Sequence, residues 1–173
     1  MAKLGLKKGL VKLVSHDKRW PDFFVKEKNI LEKLLKQYIV SIEHAGSTSI
    51  AGIKAKPIID IWIGGRKIKD FKNISFILES NGYFRIPNSN FPKYHFVFAK
   101  GNATAGTTHY IHLVKYKGSI WKKVLKFRDR LNNSQKLARE YEDLKIFLKS
   151  KYPKDRMAYI KGKDGFVKKV LNN

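Results

Sequence analysis

An aspartate stands alone inside an apolar run, Ile58-Ile59-Asp60-Ile61-Trp62-Ile63. A carboxylate there needs a cation, hydrogen bonds or a metal, because an unpaired charge is expensive to remove from water. The run is short and β-branched and reads as a strand. Strand alternation then puts Asp60 and Trp62 on one face and Ile59, Ile61 and Ile63 on the other. One face is core and the other is available for chemistry. Ahead of it, His44-Ala45-Gly46-Ser47-Thr48-Ser49-Ile50 is a polar, glycine-containing turn. Backbone N–H groups at such a turn favour phosphate. A later strand, 107–114, sets Tyr110 and His112 on one face and His109 and Ile111 on the other. Arg128, beside Asp129, has the planar fork that suits bidentate phosphate contact. A purely structural role for Asp60 is an ion pair with Lys56 or Arg128. Arg128 could equally pair with Asp129. His16 and His95 read as structural or surface residues.

A Gly-Ser turn followed by an Asp-bearing strand resembles the signature of the nucleotidyltransferase superfamily. More narrowly, His44-x-Gly46-Ser47-Thr48-Ser49 with Ala55-Lys56-Pro57-Ile58-Ile59-Asp60-Ile61 is similar to the central block of the GrpB family. The similarity runs nearly the full length, through Val14-x-x-Asp17-x-x-Trp20-Pro21, Thr108-His109-x-x-His112, Phe127-Arg128-Asp129-x-Leu131, Tyr141-x-x-Leu144-Lys145 and Tyr159-x-x-Gly162-Lys163.

The resemblance implies an α+β fold: a nucleotidyltransferase-like mixed β-sheet packed with helices, and a helical C-terminal portion. It implies phosphate held at Gly46, Ser47 and Thr48, with His44, Lys56, Trp62, Tyr110, Arg128, Tyr141 and Lys145 among the substrate-binding residues. Tyr159 and Lys163 join Tyr141 and Lys145 along the same cleft. Asp60 is the implied catalytic ligand of Mg²⁺ or Mn²⁺. His112 takes the third-carboxylate position as a metal ligand or proton carrier. The chain departs from the pattern twice. Trp62 occupies the second carboxylate position, and Tyr110-x-His112 stands where the family has His-x-His. Two functions are therefore implied: a metal-dependent nucleotidyltransferase acting on a nucleotide or phosphorylated small molecule, or a binding module for such a ligand or RNA, with Trp62 stacking on a base. Family fusions to a kinase of coenzyme A biosynthesis imply a link to that metabolism.

The elements that must position these residues follow from periodicity. Residues 11–14 read as a short edge strand. Trp20-Pro21 opens a helix whose stripe is Phe23, Phe24, Ile30, Leu31, Leu34 and Leu35, with Pro at its first position. Trp20 reads as a packing residue. A strand at 39–42 precedes the turn, and Gly64-Gly65-Arg66-Lys67 is expected to close the central hairpin. A helix at 68–80 ends at Asn81-Gly82. Strands follow at 83–86, 94–99 and 107–114, the last two as a hairpin. From Ser119 the pattern is helical, broken and re-capped at Asn132-Asn133-Ser134. The next helix carries Leu137, Tyr141, Leu144, Phe147 and Leu148 on its core stripe. A last helix, 156–171, is expected to break or bend at Gly162 and Gly165. The whole reads as one domain over 1–173, sheet-rich at 11–114 and helical at 119–171.

Composition bounds the function. With 43% hydrophobic and 13% aromatic residues the 173-residue chain can bury a sizeable core. The absence of Cys excludes disulfides and thiolate metal sites and agrees with a reducing cytoplasm. No apolar run is long enough for a membrane span, so cytoplasmic residence is expected. The outlier is charge: 37 basic against 14 acidic residues give +23. Residues 115–173 hold eighteen of the basic and six of the acidic side chains. Such a balance favours an anionic partner, nucleotide or nucleic acid, or else reflects lysines spread over solvated helix faces. Lysine in excess of arginine favours phosphate attraction over base-specific reading.

Overall fold

The computed structural model describes residues 4–7, 9–87, 92–102 and 106–172. Among the described residues, six α-helices and five strands follow one another: α1 (Trp20–Leu35), β1 (Ile39–His44), β2 (Ile59–Gly65), α2 (Phe71–Ser80), β3 (Phe84–Arg85), β4 (Phe96–Asn102), β5 (Gly106–Lys115), α3 (Ser119–Asn132), α4 (Gln135–Lys151), α5 (Arg156–Lys161) and α6 (Asp164–Asn172). The strands form one mixed sheet in the order β1-β2-β5-β4-β3, with β2 and β5 parallel at its centre and the other pairs antiparallel. The α+β architecture expected from the sequence is the observed one.

Strand alternation separates the two faces as expected. Ile59, Ile61, Ile63, Phe98, Ile111 and Leu113 face α1 and α2 and join Trp20, Leu31, Leu35, Phe71, Ile74 and Leu78 in the main core. Each fully buried side chain of this size contributes about 1.5–3 kcal/mol. Asp60 is paired in register with Tyr110, and Trp62 with His112. Four chemistry-bearing side chains therefore share the opposite face. α3 covers one end of that face, where Trp121 packs with Ala45, Trp62 and Val114. α4 and α6 reach the turn before β2, burying Ile50 and Ile53 against Leu131, Ala138, Tyr141 and Val170.

Several expectations are corrected. Gly64 and Gly65 lie inside β2 instead of closing a hairpin. A Cβ at Gly64 would fall 2.8 Å from the Tyr116 ring, and one at Gly65 2.5 Å from Phe71. Crowding from packed aromatic rings, not a turn, requires the glycines. Ile30 is 44% exposed, and Glu27 holds the buried place on α1, where it accepts from Tyr83 and is paired with Lys100 at 2.8 Å. Phe147 is 58% exposed, because α4 turns Ala138, Tyr141, Glu142, Lys145 and Leu148 inward. Residues 11–14 contribute an isolated bridge, Val14 to Ala55, in place of a strand. The C-terminal helix breaks at Gly162 alone, and Gly165 lies within α6. The Ser134 cap is as expected, its hydroxyl accepting from the Leu137 N–H.

Candidate functional site

β2 and β5 deliver Asp60, Trp62, Tyr110 and His112 because parallel pairing in register keeps their side chains on one face. His112 Nε2 lies 3.8 Å from Asp60 Oδ1. Its Nδ1 lies 3.1 Å from His95 Nε2, and its ring stacks on Trp62 with centroids 4.2 Å apart and planes 7° off parallel. The result is a chain of carboxylate, imidazole and imidazole. Burial, with His112 beside it, lowers His95 to about 4. Its ring is therefore neutral near pH 7.

Gly46 is built around Asp60. Its φ is +107°, and a Cβ there would fall 2.3 Å from Asp60 Oδ2. The glycine lets the backbone close on the carboxylate. Thr48 is buried and donates to the Ile58 carbonyl, so the His44 Nε2, 3.0 Å away, must be the donor to Thr48 Oγ1. Ser49 Oγ donates to the Gly46 carbonyl. Thr48 thus ties the turn to the residue before β2, Ser49 closes the turn on itself, and Ser47 alone of Ser47, Thr48 and Ser49 keeps its hydroxyl uncommitted.

The remaining sequence-selected residues divide into those the fold brings to Asp60 and those it uses elsewhere. His44 lies in the row of Ile61, on the α1 side, stacked on Phe24 at 4.9 Å. Burial, then Arg128 and His109, lowers it to about 4 against the opposing pull of Asp60. Trp62 is 9% exposed, with His112 on its ring and the Trp121 cluster around it. Arg128 donates to Glu43 at 2.9 Å, to the His44 carbonyl at 3.0 Å and to Asp129 at 2.7 Å. It clamps α3 to the end of β1 and is not the partner of Asp60. Lys145 donates to the Lys54 carbonyl, and Glu142 accepts the Lys54 N–H at 2.6 Å. Two inward charges of α4 thus pair both backbone groups of one residue on the segment leading to Asp60.

The helical portion and the segment before β2 bring cations and rings toward the Asp60 face. Arg156, on α5, donates to the Tyr110 hydroxyl at 2.8 Å and lies over its ring. The ammonium groups of Lys56 and Lys163 lie 5.7 and 5.0 Å from the centroid of the Tyr159 ring. Burial, followed by Lys163 and Arg156, lowers Lys56 to about 7, and Asp60 pulls the other way. Burial likewise lowers Lys163, again with Asp60 opposing. Burial raises the Tyr141 phenol, which lies within electrostatic reach of Tyr159 and Asp60. The groups within electrostatic reach of Asp60 are thus cationic and aromatic.

Sequence reasoning missed His95 and Arg156. Alternation along 94–99 puts His95 with Val97, and Val97 pairs with His112, so His95 follows once the β4/β5 register is known. Arg156 left no local signal, because a packing arrangement across 46 residues brings it to Tyr110.

A resident Mg²⁺ or Mn²⁺ does not fit this donor set. One carboxylate and one imidazole converge, and among the described residues no group of three His, Cys, Asp or Glu side chains is placed to hold an ion. Mg²⁺ asks for oxygen ligands in near-octahedral array.

Comparison with known proteins agrees with the motif pattern. A solved structure, that of the conserved protein GrpB from Enterococcus faecalis, superposes with a TM-score of 0.82 at 26% identity, covering 93% of this chain and 95% of that one. The glutamate-rich protein GrpB of Alkalihalophilus pseudofirmus is 39% identical over 98% of both chains. The UPF0157 protein YqkA of Bacillus subtilis is 31% identical over 94% of this chain, which spans about half (47%) of that protein's length. The family model described as GrpB protein matches residues 10–173, and the chain belongs to the GrpB family.

Proposed function

We propose that this protein binds a nucleotide or another phosphorylated small molecule where the Asp60 face of the sheet meets the helical portion. The charge arrangement carries the reading. One carboxylate, fitted against the Gly46 backbone, lies within electrostatic reach of Lys56 and Lys163, and Arg156 is bonded to Tyr110, its register partner on β5. Phosphate is the anion that such a mixed wall of ammonium, guanidinium and phenol groups suits. On this reading Mg²⁺ or Mn²⁺ enters only as the counter-ion of the ligand's phosphates, with Asp60 as its one protein carboxylate.

A second reading, nucleotidyl transfer, is favoured by the Asp60–His112–His95 chain. His112 would take the proton of an acceptor hydroxyl, with Asp60 beside the resulting imidazolium. The distances support a positioned base. The carboxylate count supports the binding reading, which we prefer.

A thermal-shift panel of nucleoside triphosphates and coenzyme A precursors, with and without Mg²⁺ or Mn²⁺, tests both on the wild type and Asp60→Asn. Ligand at a hundredfold excess over Kd should raise the midpoint by about 5–10 °C. A rise that requires the divalent ion and disappears in Asp60→Asn supports binding with the counter-ion at Asp60, and transfer requires in addition that pyrophosphate is released when an acceptor is supplied. A metal-independent rise supports a binding module, and no rise with any ligand refutes the proposal. A single-stranded RNA arm reads the +23 surface, whose binding must weaken steeply with salt.

A further inference from the structure

Near Asp60 the fold gathers a cluster that neither the turn around Gly46 nor the Asp60–His112 chain uses. Lys56 comes from the segment before β2, Arg156 from α5, and Lys163 from the break between α5 and α6. All three side chains are half-buried. Lys56 and Lys163 share the Tyr159 ring, and Arg156 is fixed over Tyr110. Among the described residues, none of the three has a carboxylate at ion-pair distance. The carboxylates in electrostatic reach are Asp60 on β2 and the exposed Asp164 on α6.

Such convergence is unfavourable in the free protein. Each cation is partly removed from water and repelled by the others, and the depressed ammonium of Lys56 registers both effects. Elsewhere the chain treats inward charges differently. Glu27 has Lys100 and Tyr83, while Glu142 has Arg139 and the Lys54 N–H. Lys145, on α4, is satisfied by the Lys54 carbonyl. Tyr159, whose ring the two lysines share, has no hydrogen-bond partner for its hydroxyl among the described residues, which leaves that donor free. With all three protonated, as a bound anion would favour, three cations and a phenol near one carboxylate leave a surplus of two positive charges, the complement of a compact dianion.

We infer that Lys56, Arg156 and Lys163, with the Tyr159 hydroxyl, form the subsite for a terminal phosphate monoester of the ligand. This rests on the proposed binding of a phosphorylated small molecule and narrows it. The anchor is a terminal monoester held between the segment before β2 and the α5–α6 region, not an internal diester or a phosphate at the Gly46 turn. A polynucleotide backbone offers only monoanionic diesters, so the subsite favours a small phosphorylated metabolite or nucleotide over internal segments of RNA.

The test is calorimetric titration of the full chain with methyl phosphate and with dimethyl phosphate, above the second phosphate pKa of about 6. Methyl phosphate should bind at millimolar concentration, and dimethyl phosphate about tenfold or more weakly, the loss of one charge-assisted contact. Lys56→Met and Lys163→Met should each weaken methyl phosphate about tenfold, while Lys163→Arg and the exposed-site control Lys122→Met keep it. Circular dichroism and an undiminished melting midpoint separate these losses from unfolding. Equal binding of monoester and diester, or full affinity in both Met variants, overturns the inference. Should a nucleotide still raise the midpoint in Lys56→Met and Lys163→Met as in the wild type, the subsite falls and the broader binding proposal stands. Should neither methyl phosphate nor any nucleotide bind, both fall.

Discussion

Replacing Gly46 by alanine tests the relation between the turn and Asp60. Gly46 has φ +107° and ψ −176°, a region essentially restricted to glycine. Holding a side-chain-bearing residue there costs about 1–3 kcal/mol. The new methyl carbon would lie 2.3 Å from Asp60 Oδ2, 2.8 Å from its Cβ and 2.9 Å from its Cγ. Relieving that overlap requires Asp60 to leave its rotamer or the strand to shift, at a further cost of about 0.5–1.5 kcal/mol. The expected destabilisation is therefore about 2–4 kcal/mol, read in urea as a midpoint lowered by about 1–2 M at unchanged slope. Asp60→Ala removes the Oδ2 and Cγ overlaps and leaves that with Cβ. In the double variant the penalty for Gly46→Ala should thus shrink by about 1 kcal/mol, a coupling that a double-mutant cycle resolves. A fully additive cycle, or a loss of phosphate affinity in Gly46→Ala with stability intact, would refute the assignment of Gly46 as a spacer for Asp60 and return it to phosphate binding.

Two other outcomes follow from the same geometry. Arg128→Met leaves Glu43 and the His44 carbonyl without their donor and should lower stability by about 1.5–3 kcal/mol by chemical denaturation, while methyl phosphate affinity stays unchanged. Lys56 and Lys145 are each lowered to about 7 from an ordinary 10.5, so between those values the unfolded chain holds protons that the folded chain lacks. Their contribution to stability therefore rises with pH from about 7 to about 10.5 and is smallest below 7. Lys56→Met should flatten that rise when unfolding midpoints are followed across this window, and an unchanged slope would contradict the burial of its ammonium.

The sequence determined the elements and the family. Period-2 alternation in 58–63 and 107–114 was enough to put Asp60, Trp62, Tyr110 and His112 on faces opposite the isoleucine core, because strand side chains alternate whatever surrounds them. Ser134 and Pro21 marked helix starts through local capping and φ preference, which act within a turn of chain. The order and spacing of separated motifs from Val14 to Lys163 carry the resemblance to the GrpB family, and the family model matches residues 10–173.

Tertiary structure decided what each polar residue is for. Arg128, Lys145 and Thr48 carry the chemistry of ligand binding in their side chains, and the fold spends all three on its own backbone and carboxylates. His95 and Arg156, unmarked in the sequence, are brought to His112 and Tyr110 by the β4/β5 register and by α5 packing. Glycine shows the same division: three glycines with different neighbours answer to Asp60, Tyr116 and Phe71. The physical reason is range. Backbone propensity and alternation act over a few residues and can be read along the chain, whereas the partner of a long charged side chain is fixed by whichever distant group the completed packing sets within hydrogen-bond reach.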